Sequence, residues 1–395
     1  MRFHARPAAW CGAAARGRLE GRHPRDDRAS VRPSGSRSVL SESRSLRVRG
    51  ADLSFTLLEE RVGNTTRDDG PDEPVERIIA RHGANHVRLR IWVDPIPGWS
   101  DLGSALVLAR RAREAGLHLL VDLHYSDTWA DPANQSIPAA WRGQPLGTLA
   151  ESVRSYTRDV VARFAEQGTP VSMLQIGNEI AGGFLWPIGR IGHPDGDSWS
   201  GFTTLLRAGI TGALAGALDA HRPTIMIHTE CGGDNVRARR FYDRLLAEDI
   251  RFDVIGLSYY PFWHGPLAGL QSNVASLAAR YDKDIVIAET SYPWTLENPR
   301  GQPDRFCTGE EQLPDAETYP ATADGQAAYF EALRAVLQQV PGGRGLGFFV
   351  WEPAWLDGVG WGPGSPNPYA NLTLFDDHGC ALPALRTFRP PSREW

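Results

Sequence analysis

The chain alternates between two hydrophobic patterns from about residue 47 onward. Short, continuous apolar runs rich in Val, Ile and Leu are typical of strands that are buried on both faces of a parallel sheet. Longer segments repeat apolar residues at i, i+3, i+4 and i+7, which predicts amphipathic helices. The apolar runs predict eight strands, at residues 47–55, 86–92, 118–125, 171–179, 224–229, 252–260, 284–290 and 346–353.

Helical patterns lie between these strands, with Gly or Asp near their ends. The clearest are at residues 72–83, 101–116, 149–168, 267–282 and 324–340. This repeat of strand and helix predicts an α/β fold, a single (β/α)8 TIM barrel with long loops at the C-terminal face of the strands. A doubly wound open sheet is the alternative, and it is disfavoured because no glycine-rich phosphate loop follows the first strand.

Composition divides the chain near residue 46. The first 48 residues hold 11 Arg and 4 acidic residues, and few apolar residues that could form a core. We therefore expect residues 1–46 to be an Arg-rich, disordered extension or the result of a misassigned start, and residues 47–395 to form the barrel. The whole chain carries −5, so the remainder carries about −12, which argues against a nucleic-acid partner. No apolar run approaches the ~20 residues of a membrane helix, so no membrane partner is expected.

Polar and aromatic side chains follow nearly every predicted strand. The C-terminal strand ends of a (β/α)8 barrel form its active-site face, so these side chains predict a functional site there. They are Asp52, Arg88, Arg90, His124, Tyr125, Asn178, Glu179, His228, Glu230, Tyr259, Tyr260, Glu289, Trp351 and Glu352.

Two of these residues, Glu179 and Glu289, each end an apolar run, on the fourth and seventh predicted strands. In a closed barrel their carboxylates can approach each other across the mouth. A pair of facing carboxylates, one protonated and one ionised, is what cleavage of a glycosidic bond requires. The alternative is that each glutamate forms a structural ion pair with Arg88 or Arg90.

Metal binding is a weaker interpretation of the strand ends. His124 and His228 are the one plausible pair of imidazoles, and no HExxH or comparable spacing supports them as ligands. A hydrogen-bonded histidine or a partner for a sugar hydroxyl is favoured instead. The four cysteines show no CxxC or metal-ligand spacing, and we expect unpaired thiols at Cys11, Cys231, Cys307 and Cys380.

Tryptophans concentrate near the predicted strand ends. Because flat apolar rings suit the apolar faces of sugars, a ring of tryptophans around the barrel mouth favours a carbohydrate ligand. Of the 13 in the chain, the ones at or just past strand ends are Trp92, Trp129, Trp186, Trp263, Trp294, Trp351, Trp355 and Trp361.

Seven segments together resemble one known family, glycoside hydrolase family 53, the arabinogalactan endo-β-1,4-galactanases. The resemblance runs in order from about residue 49 to residue 388, over the whole predicted barrel. The segments are RGADLS (49–54), HVRLRIWVDP (86–95), DLHYSDTWADPANQ (122–135), IGNEIAGGFLWPIG (176–189), GLSYYPFWHG (256–265), AETSYPWT (288–295) and WEPAWL (351–356).

The resemblance implies a retaining endo-glycosidase that hydrolyses β-1,4-galactosidic bonds in galactan or type I arabinogalactan. Glu179 would be the acid/base and Glu289 the nucleophile. Asn178 would bond the sugar 2-hydroxyl, Arg88 would hold the nucleophile ionised, and Tyr260, or less favoured Tyr259, would donate to the nucleophile. Trp351 would form the floor under the sugar, and further cleft residues would be Asp52, His124, Asp127, Trp129 and Asp131.

The resemblance also implies a polysaccharide partner, β-1,4-galactan, with no cofactor and with a monomeric enzyme. Some bacterial members bind calcium after the seventh strand, but residues 296–320 lack a D-x-D-x-[DNH] run, so no metal is predicted there. Family members are typically secreted, whereas the start of this sequence lacks a convincing signal peptide, so a cytoplasmic location also stays open.

Two alternatives to a galactanase remain. One is another retaining (β/α)8 glycosidase with the same catalytic pair, such as a β-galactosidase or a β-mannanase. The other is a non-catalytic carbohydrate-binding barrel, which is disfavoured because both glutamates are present.

Overall fold

A computed structural model describes residues 45–192, 198–297 and 305–390 of the chain. Eight parallel strands follow one another around a closed barrel, and the eighth pairs with the first. The sequence-based prediction of a (β/α)8 TIM barrel is therefore confirmed. The expectation for residues 1–46 and for Cys11 falls almost entirely outside the described residues.

All eight predicted strands are present. They are β1 (Val48–Asp52), β2 (His86–Ile91), β3 (His118–Leu123), β4 (Met173–Ile176), β5 (Thr224–Thr229), β6 (Val254–Ser258), β7 (Asp284–Thr290) and β8 (Gly345–Val350). Their residues are buried on both faces, which explains why the runs are continuously apolar instead of alternating.

Helices cover the outside of the barrel. They are α1 (Thr56–Arg61), α2 (Val75–Arg81), α3 (Leu102–Glu114), α4 (Leu146–Glu166), α5 (Trp199–Gly216), α6 (Asn235–Ala247), α7 (Pro261–His264), α8 (Leu267–Tyr281) and α9 (Ala323–Gln338). The five clear helical patterns correspond to α2, α3, α4, α8 and α9. No helix in the described ranges is long and apolar enough to cross a membrane.

The buried apolar residues form two layers. The larger layer lies between the strands and the helices, and a smaller cluster fills the barrel interior. Gly50 of β1 makes room for the Phe349 ring of β8, because a Cβ atom at Gly50 would lie 2.3 Å from that ring. The interior cluster consists of Val48, Leu120, Met173, Met226, Val254, Val286, Ala288, Leu346 and Phe349.

Several strands end earlier than predicted, and the difference matters most at β4. The prediction extended this strand through Glu179, whereas β4 ends at Ile176. Gly177 (φ 79°) and Glu179 (φ 51°) have left-handed backbone conformations, so the ladder of strand hydrogen bonds cannot continue. The backbone turns at the barrel mouth, and Glu179 lies in that turn.

Candidate active site

Two glutamates lie at the C-terminal face of the barrel in different local settings. Glu289 is within β7 and only 6% exposed. Glu179 follows β4 and is partly exposed. Strand β7 therefore fixes the backbone of Glu289, whereas Glu179 depends on the turn after β4 and on its side-chain partners.

The Glu289 carboxylate has two polar partners. One Arg88 nitrogen, Nη2, lies 2.7 Å from Glu289 Oε1. The Tyr260 hydroxyl donates to Glu289 Oε2 at 3.0 Å. The neighbouring Tyr259 hydroxyl donates instead to the carbonyl of Gly265 at 2.6 Å, so Tyr260 is the tyrosine that contacts this carboxylate.

Arg88 is fully buried and joins several strands through its guanidinium. It lies 2.7 Å from Asp52 at the end of β1 and 2.8 Å from Asp122 in β3. Its Nη2 also donates to Asn178 Oδ1 at 3.0 Å. One positive charge thus serves three buried carboxylates, namely those of Asp52, Asp122 and Glu289.

Glu179 contacts uncharged groups. The Ser258 hydroxyl at the end of β6 donates to Glu179 Oε1 at 2.6 Å. The backbone N–H of Glu179 lies 3.4 Å from Nδ1 of His228. No arginine pairs with Glu179 among the described residues, so the structural alternative of an arginine for each glutamate holds only for Glu289.

These surroundings separate the two carboxyl groups electrostatically. Burial raises the pKa of Glu179 well above its usual value, and the nearby charges of Glu289 and Glu230 raise it further. Burial also raises the pKa of Glu289, but Arg88 and the Tyr260 hydrogen bond oppose the rise. The proton shared by the pair is therefore held on the Glu179 side.

Arg88 and the acidic residues around it act on Glu289 in opposite directions. The expectation was that the positive charge of Arg88 keeps Glu289 ionised, and Arg88 does lower the pKa of this carboxyl. Asp122 and Asp52 compete for the same guanidinium, and their negative charges raise the pKa of Glu289. The net effect raises the pKa of Glu289, but by less than the pKa of Glu179 is raised.

Asn178 is held on both sides of its carboxamide. Its Oδ1 accepts from Arg88 and from Gln175 Nε2, each at 3.0 Å, and its Nδ2 donates to the Ala130 carbonyl at 2.8 Å. The side chain is buried beside Glu179. These bonds fix its orientation before any ligand binds.

The remaining polar residues expected in the cleft have protein partners in this structure. Asp52 is fully buried against Arg88 and Ser54. His124 Nε2 lies 3.0 Å from Asp122, and its Nδ1 accepts from the Ala130 N–H at 3.0 Å. Asp52 and His124 therefore hold neighbouring side chains and backbone of the cleft in place through these hydrogen bonds.

Asp127 and Asp131 organise the loop after β3. Asp127 accepts from the backbone N–H groups of Asp94 and Ala139, at 3.1 Å and 2.7 Å. Asp131 accepts from the N–H groups of Ala133 and Asn134, at 2.7 Å and 2.8 Å. Such bonds stabilise tight turns, and they hold the loop that carries Trp129.

The tryptophans divide into buried and accessible groups. Trp355 is 0% exposed, so the expectation that it borders the barrel mouth with an open ring face is wrong, whereas Trp92 is 4% exposed. Trp129 is partly exposed and stacks on Trp361, with ring centroids 4.3 Å apart and an angle of 14°. Trp351 is 5% exposed and packs against these two rings. Trp263 is 48% exposed beside Tyr260.

Metal binding finds no support in the positions of the two histidines. His228 Nε2 lies 2.9 Å from Ser258 Oγ, and its Nδ1 lies 3.0 Å from Gln175 Nε2. Both nitrogens of His124 also have protein partners. Across residues 45–192, 198–297 and 305–390, no group of three or more His, Cys, Asp or Glu side chains could hold a metal ion. Part of the segment 296–320 lies outside these ranges, so the expectation for it stays a prediction.

Three residues of the site were missed by sequence reasoning, namely Asp122, Gln175 and Ser258. Gln175 Nε2 donates to Asp122 Oδ1 at 2.6 Å, beneath the Arg88 guanidinium. Each of the three is a polar residue within an apolar strand, and all are fully buried. A polar residue inside an apolar run was the available signal, whereas the sequence-based prediction rested only on the ends of the runs.

Two glutamates at the mouth of a closed (β/α)8 barrel, one paired with an arginine and the other with an uncharged hydroxyl, define a site of the glycoside-hydrolase class. The sequence profile described as glycosyl hydrolase family 53 matches residues 48–388. The chain belongs to this family.

Individual relatives agree with this assignment. A probable arabinogalactan endo-β-1,4-galactanase A from Aspergillus terreus is 39% identical, covering 80% of this chain and 88% of the relative. The solved catalytic domain from Ignisphaera aggregans superimposes with a TM-score of 0.81 at 35% identity, covering 87% of this chain and 95% of that one. A fungal β-1,4-galactanase structure gives 0.76 at 33% identity, covering 87% and 99%. The protein is a glycoside hydrolase.

Proposed function

We propose that this protein is an endo-β-1,4-galactanase that hydrolyses galactan or type I arabinogalactan with retention of anomeric configuration. The observation that carries the mechanism is the asymmetry of the two carboxyl groups. Arg88 and Tyr260 contact Glu289, whereas Glu179 has an uncharged hydroxyl partner and a pKa raised well above its usual value. The galactanase names of the relatives support the choice of substrate.

In the first step, Glu289 attacks the anomeric carbon and the bond from that carbon to the leaving oxygen breaks. Glu179 donates its proton to the leaving oxygen at the same time, so the departing chain leaves as a neutral alcohol. A covalent sugar–Glu289 ester remains. The Arg88 and Tyr260 contacts favour Glu289 as nucleophile because they stabilise its ionised form.

In the second step, water attacks the same carbon while the ionised Glu179 accepts a proton from it. The ester bond breaks and Glu289 returns as a carboxylate, which completes two inversions and therefore net retention. Asn178, held beside Glu179 by Arg88 and Ala130, is suited to bond the sugar 2-hydroxyl in the transition state. Trp351 and Trp129 would contact the sugar, and Asp52, His124, Asp127 and Asp131 would hold the cleft. Since the proposed substrate is a polymer, we place its action outside the cell.

The activity test is product analysis on unbranched β-1,4-galactan, with β-1,4-mannan as the competing substrate. Short galacto-oligosaccharides with the β-anomer formed first are expected. Release of galactose alone, or preference for mannan, would favour the alternative of another retaining glycosidase. An α-anomer as first product would contradict the two-step mechanism.

The two carboxylates are tested by Glu179→Gln and Glu289→Gln. Each variant should lose most of its turnover, by roughly 10³-fold or more, while still binding galacto-oligosaccharides. Added azide should restore cleavage of activated aryl glycosides in Glu179→Ala, because azide can attack the glycosyl ester without a general base. Full turnover in Glu289→Gln would remove this glutamate from the mechanism, and oligosaccharide binding without turnover in the wild type would favour a binding barrel.

A further inference from the structure

A chain of three side chains leads from Glu179 into the barrel. Ser258 Oγ donates to Glu179 Oε1 at 2.6 Å, and His228 Nε2 lies 2.9 Å from the same Ser258 oxygen. Ser258 and His228 are both fully buried. A hydroxyl has one hydrogen, and because Ser258 gives it to Glu179, its oxygen must accept from His228.

The tautomer of His228 follows from these directions. With Ser258 as the donor to Glu179, Nε2 of His228 carries the hydrogen and its Nδ1 is an acceptor. Two donors lie near this Nδ1, namely Gln175 Nε2 at 3.0 Å and the Glu179 backbone N–H at 3.4 Å. Asn178 Oδ1 also lies 3.0 Å from it, and that oxygen accepts from Arg88 and Gln175. Burial and the charge of Arg88 lower the pKa of His228 well below its usual value, so the ring is neutral.

The contact makes the two oxygens of Glu179 unequal. Oε1 accepts a short hydrogen bond from Ser258, whereas Oε2 accepts no hydrogen bond from any residue that the structure describes. An oxygen that already accepts a hydrogen bond is the weaker base of a carboxylate, because its lone-pair density is engaged. The proton of neutral Glu179 therefore resides on Oε2.

We propose that Ser258, oriented by His228, is a positioning residue that directs the transferable proton of Glu179 onto Oε2 and holds the carboxyl plane toward the leaving oxygen. This inference rests on the proposed role of Glu179 as acid/base. The same Ser258 hydrogen bond suits both steps, because it stabilises the ionised Glu179 that forms when the leaving group departs.

Charged groups on several strands also act on Glu179. Glu289 of β7, Glu230 after β5 and Asp131 after β3 all raise its pKa, and Ser258 is the group that lowers it. Around His228, Arg88 and His124 lower the pKa and Asp122 raises it. Loss of the Ser258 hydroxyl should therefore move the pKa of Glu179 upward, and no other group in this set compensates.

The first experiment measures this shift directly. The pKa of Glu179 is measured by 13C NMR of its carboxyl carbon in the full chain. A Glu289→Gln background is used so that Glu179 is the one carboxyl of the pair that titrates. Glu179→Gln identifies the signal by removing it. Ser258→Ala should raise the midpoint. The matched control is Thr229→Val, which removes a buried strand hydroxyl that lies 3.4 Å from Tyr242 and should leave the midpoint unchanged. An unchanged midpoint in Ser258→Ala would overturn the proposal.

The second experiment separates positioning from general damage. With native Glu289, Ser258→Ala should slow galactan cleavage by about 10- to 100-fold, because departure of a sugar alcohol needs the proton. An aryl galacto-oligosaccharide with an acidic phenol as leaving group should form the glycosyl ester at nearly the wild-type rate in a pre-steady-state burst. Equal losses on both substrates would indicate a structural role and contradict the proposal.

His228 provides an independent pair of variants. In His228→Gln the amide nitrogen can occupy the position of Nε2 and donate to Ser258, whereas the shorter Asn side chain cannot reach it. His228→Asn should therefore show the same kinetic defect as Ser258→Ala. His228→Gln should retain much of the wild-type galactan cleavage. If the wild type does not cleave galactan, the proposed substrate fails, while the NMR titration still decides the Ser258 contact.

Discussion

The guanidinium of Arg90 lies 4.2 Å from the ring centroid of Trp129, and the two groups form a cation–π contact between β2 and the loop after β3. The same guanidinium lies 4.7 Å from the Phe55 ring and 3.1 Å from Glu352. Arg90 is thus held by an ion pair on one side and by aromatic rings on the other. Because Trp129 is partly exposed, Arg90 fixes the orientation of a ring that is accessible to solvent and that is proposed above to contact the sugar.

Arg90→Lys should weaken substrate binding more than it slows chemistry. A lysine ammonium can still meet Glu352, but it cannot stack as a planar group against Trp129. A contact of about 1 kcal/mol corresponds to about a fivefold rise in KM, and kcat should change less. Steady-state kinetics on galactan measure both.

The control for this prediction is a double-mutant cycle with Trp129→Ala. If Arg90 acts through Trp129, adding Arg90→Lys to Trp129→Ala should raise KM little further. Fully additive effects would show that the arginine acts by another route.

Arg88 gives the contrasting case on the same strand. It pairs with Asp52, Asp122 and Glu289 at 2.7–2.8 Å, and a lysine cannot serve three carboxylates at once. Arg88→Lys should therefore reduce kcat by about 100-fold or more and lower the free energy of unfolding by about 3 kcal/mol, since a buried charge loses its partner. Arg90→Lys is the matched control. A kcat close to that of wild type in Arg88→Lys would contradict the role given to this network.

These two arginines also show what the sequence could reveal. Both were visible as charged residues at a predicted strand end, and the family resemblance placed Arg88 beside Glu289. The sharing of Arg88 with Asp122 could not be read from the chain, because it depends on the register of β2 and β3, which sets Arg88 opposite Leu120 and Arg90 opposite Asp122. Likewise, the left-handed turn at Glu179 has no clear sequence signal, since Gly177 alone does not predict where β4 ends.

The tryptophans show a second limit. The sequence shows which tryptophans lie near strand ends, but whether a ring faces solvent depends on which residues pack over it. Trp355 is covered by Phe55, which follows β1, and by Trp361 and Tyr369 of the segment after β8. Sequence patterns predicted the barrel because strand burial is a local property of the chain, whereas burial of a loop residue depends on how the loops fold over it.

Tyr260→Phe should shift the acidic limb of the pH profile of kcat/KM to higher pH. The Tyr260 hydroxyl donates to Glu289 Oε2 at 3.0 Å and thereby lowers the pKa of that carboxyl. Without this bond the ionised, nucleophilic form of Glu289 appears only at higher pH. The measurement is kcat/KM against pH on galactan.

Tyr259→Phe is the matched control for that variant. It removes the neighbouring hydroxyl, which bonds the Gly265 carbonyl instead of Glu289. Its acidic limb should stay at the wild-type position. The assignment of Tyr260 would be wrong if both variants shifted the limb equally, or if neither did.

The contribution of Glu59 to the free energy of unfolding should fall as pH rises from about 4.5 toward 8. This carboxyl is 6% exposed on α1, and its Oε2 accepts from Asn64 Nδ2 at 2.6 Å and from the Leu356 N–H at 3.2 Å. Burial raises the pKa of Glu59 from 4.5 to about 8. The folded state therefore keeps a proton that the unfolded state has lost, and between these two values this group removes up to about 1.4 kcal/mol of stability per pH unit.

Glu59→Gln should flatten this dependence because a carboxamide stays neutral while its oxygen can still accept from Asn64 and Leu356. The measurement is the free energy of unfolding from urea titrations at pH 5, 6, 7 and 8. The stability of the variant relative to the wild type should increase as pH rises. Glu114→Gln, at an exposed position of α3, should follow the wild-type curve. Parallel curves for Glu59→Gln and wild type would show that Glu59 ionises in the folded protein as it does in the unfolded one, and would contradict the prediction.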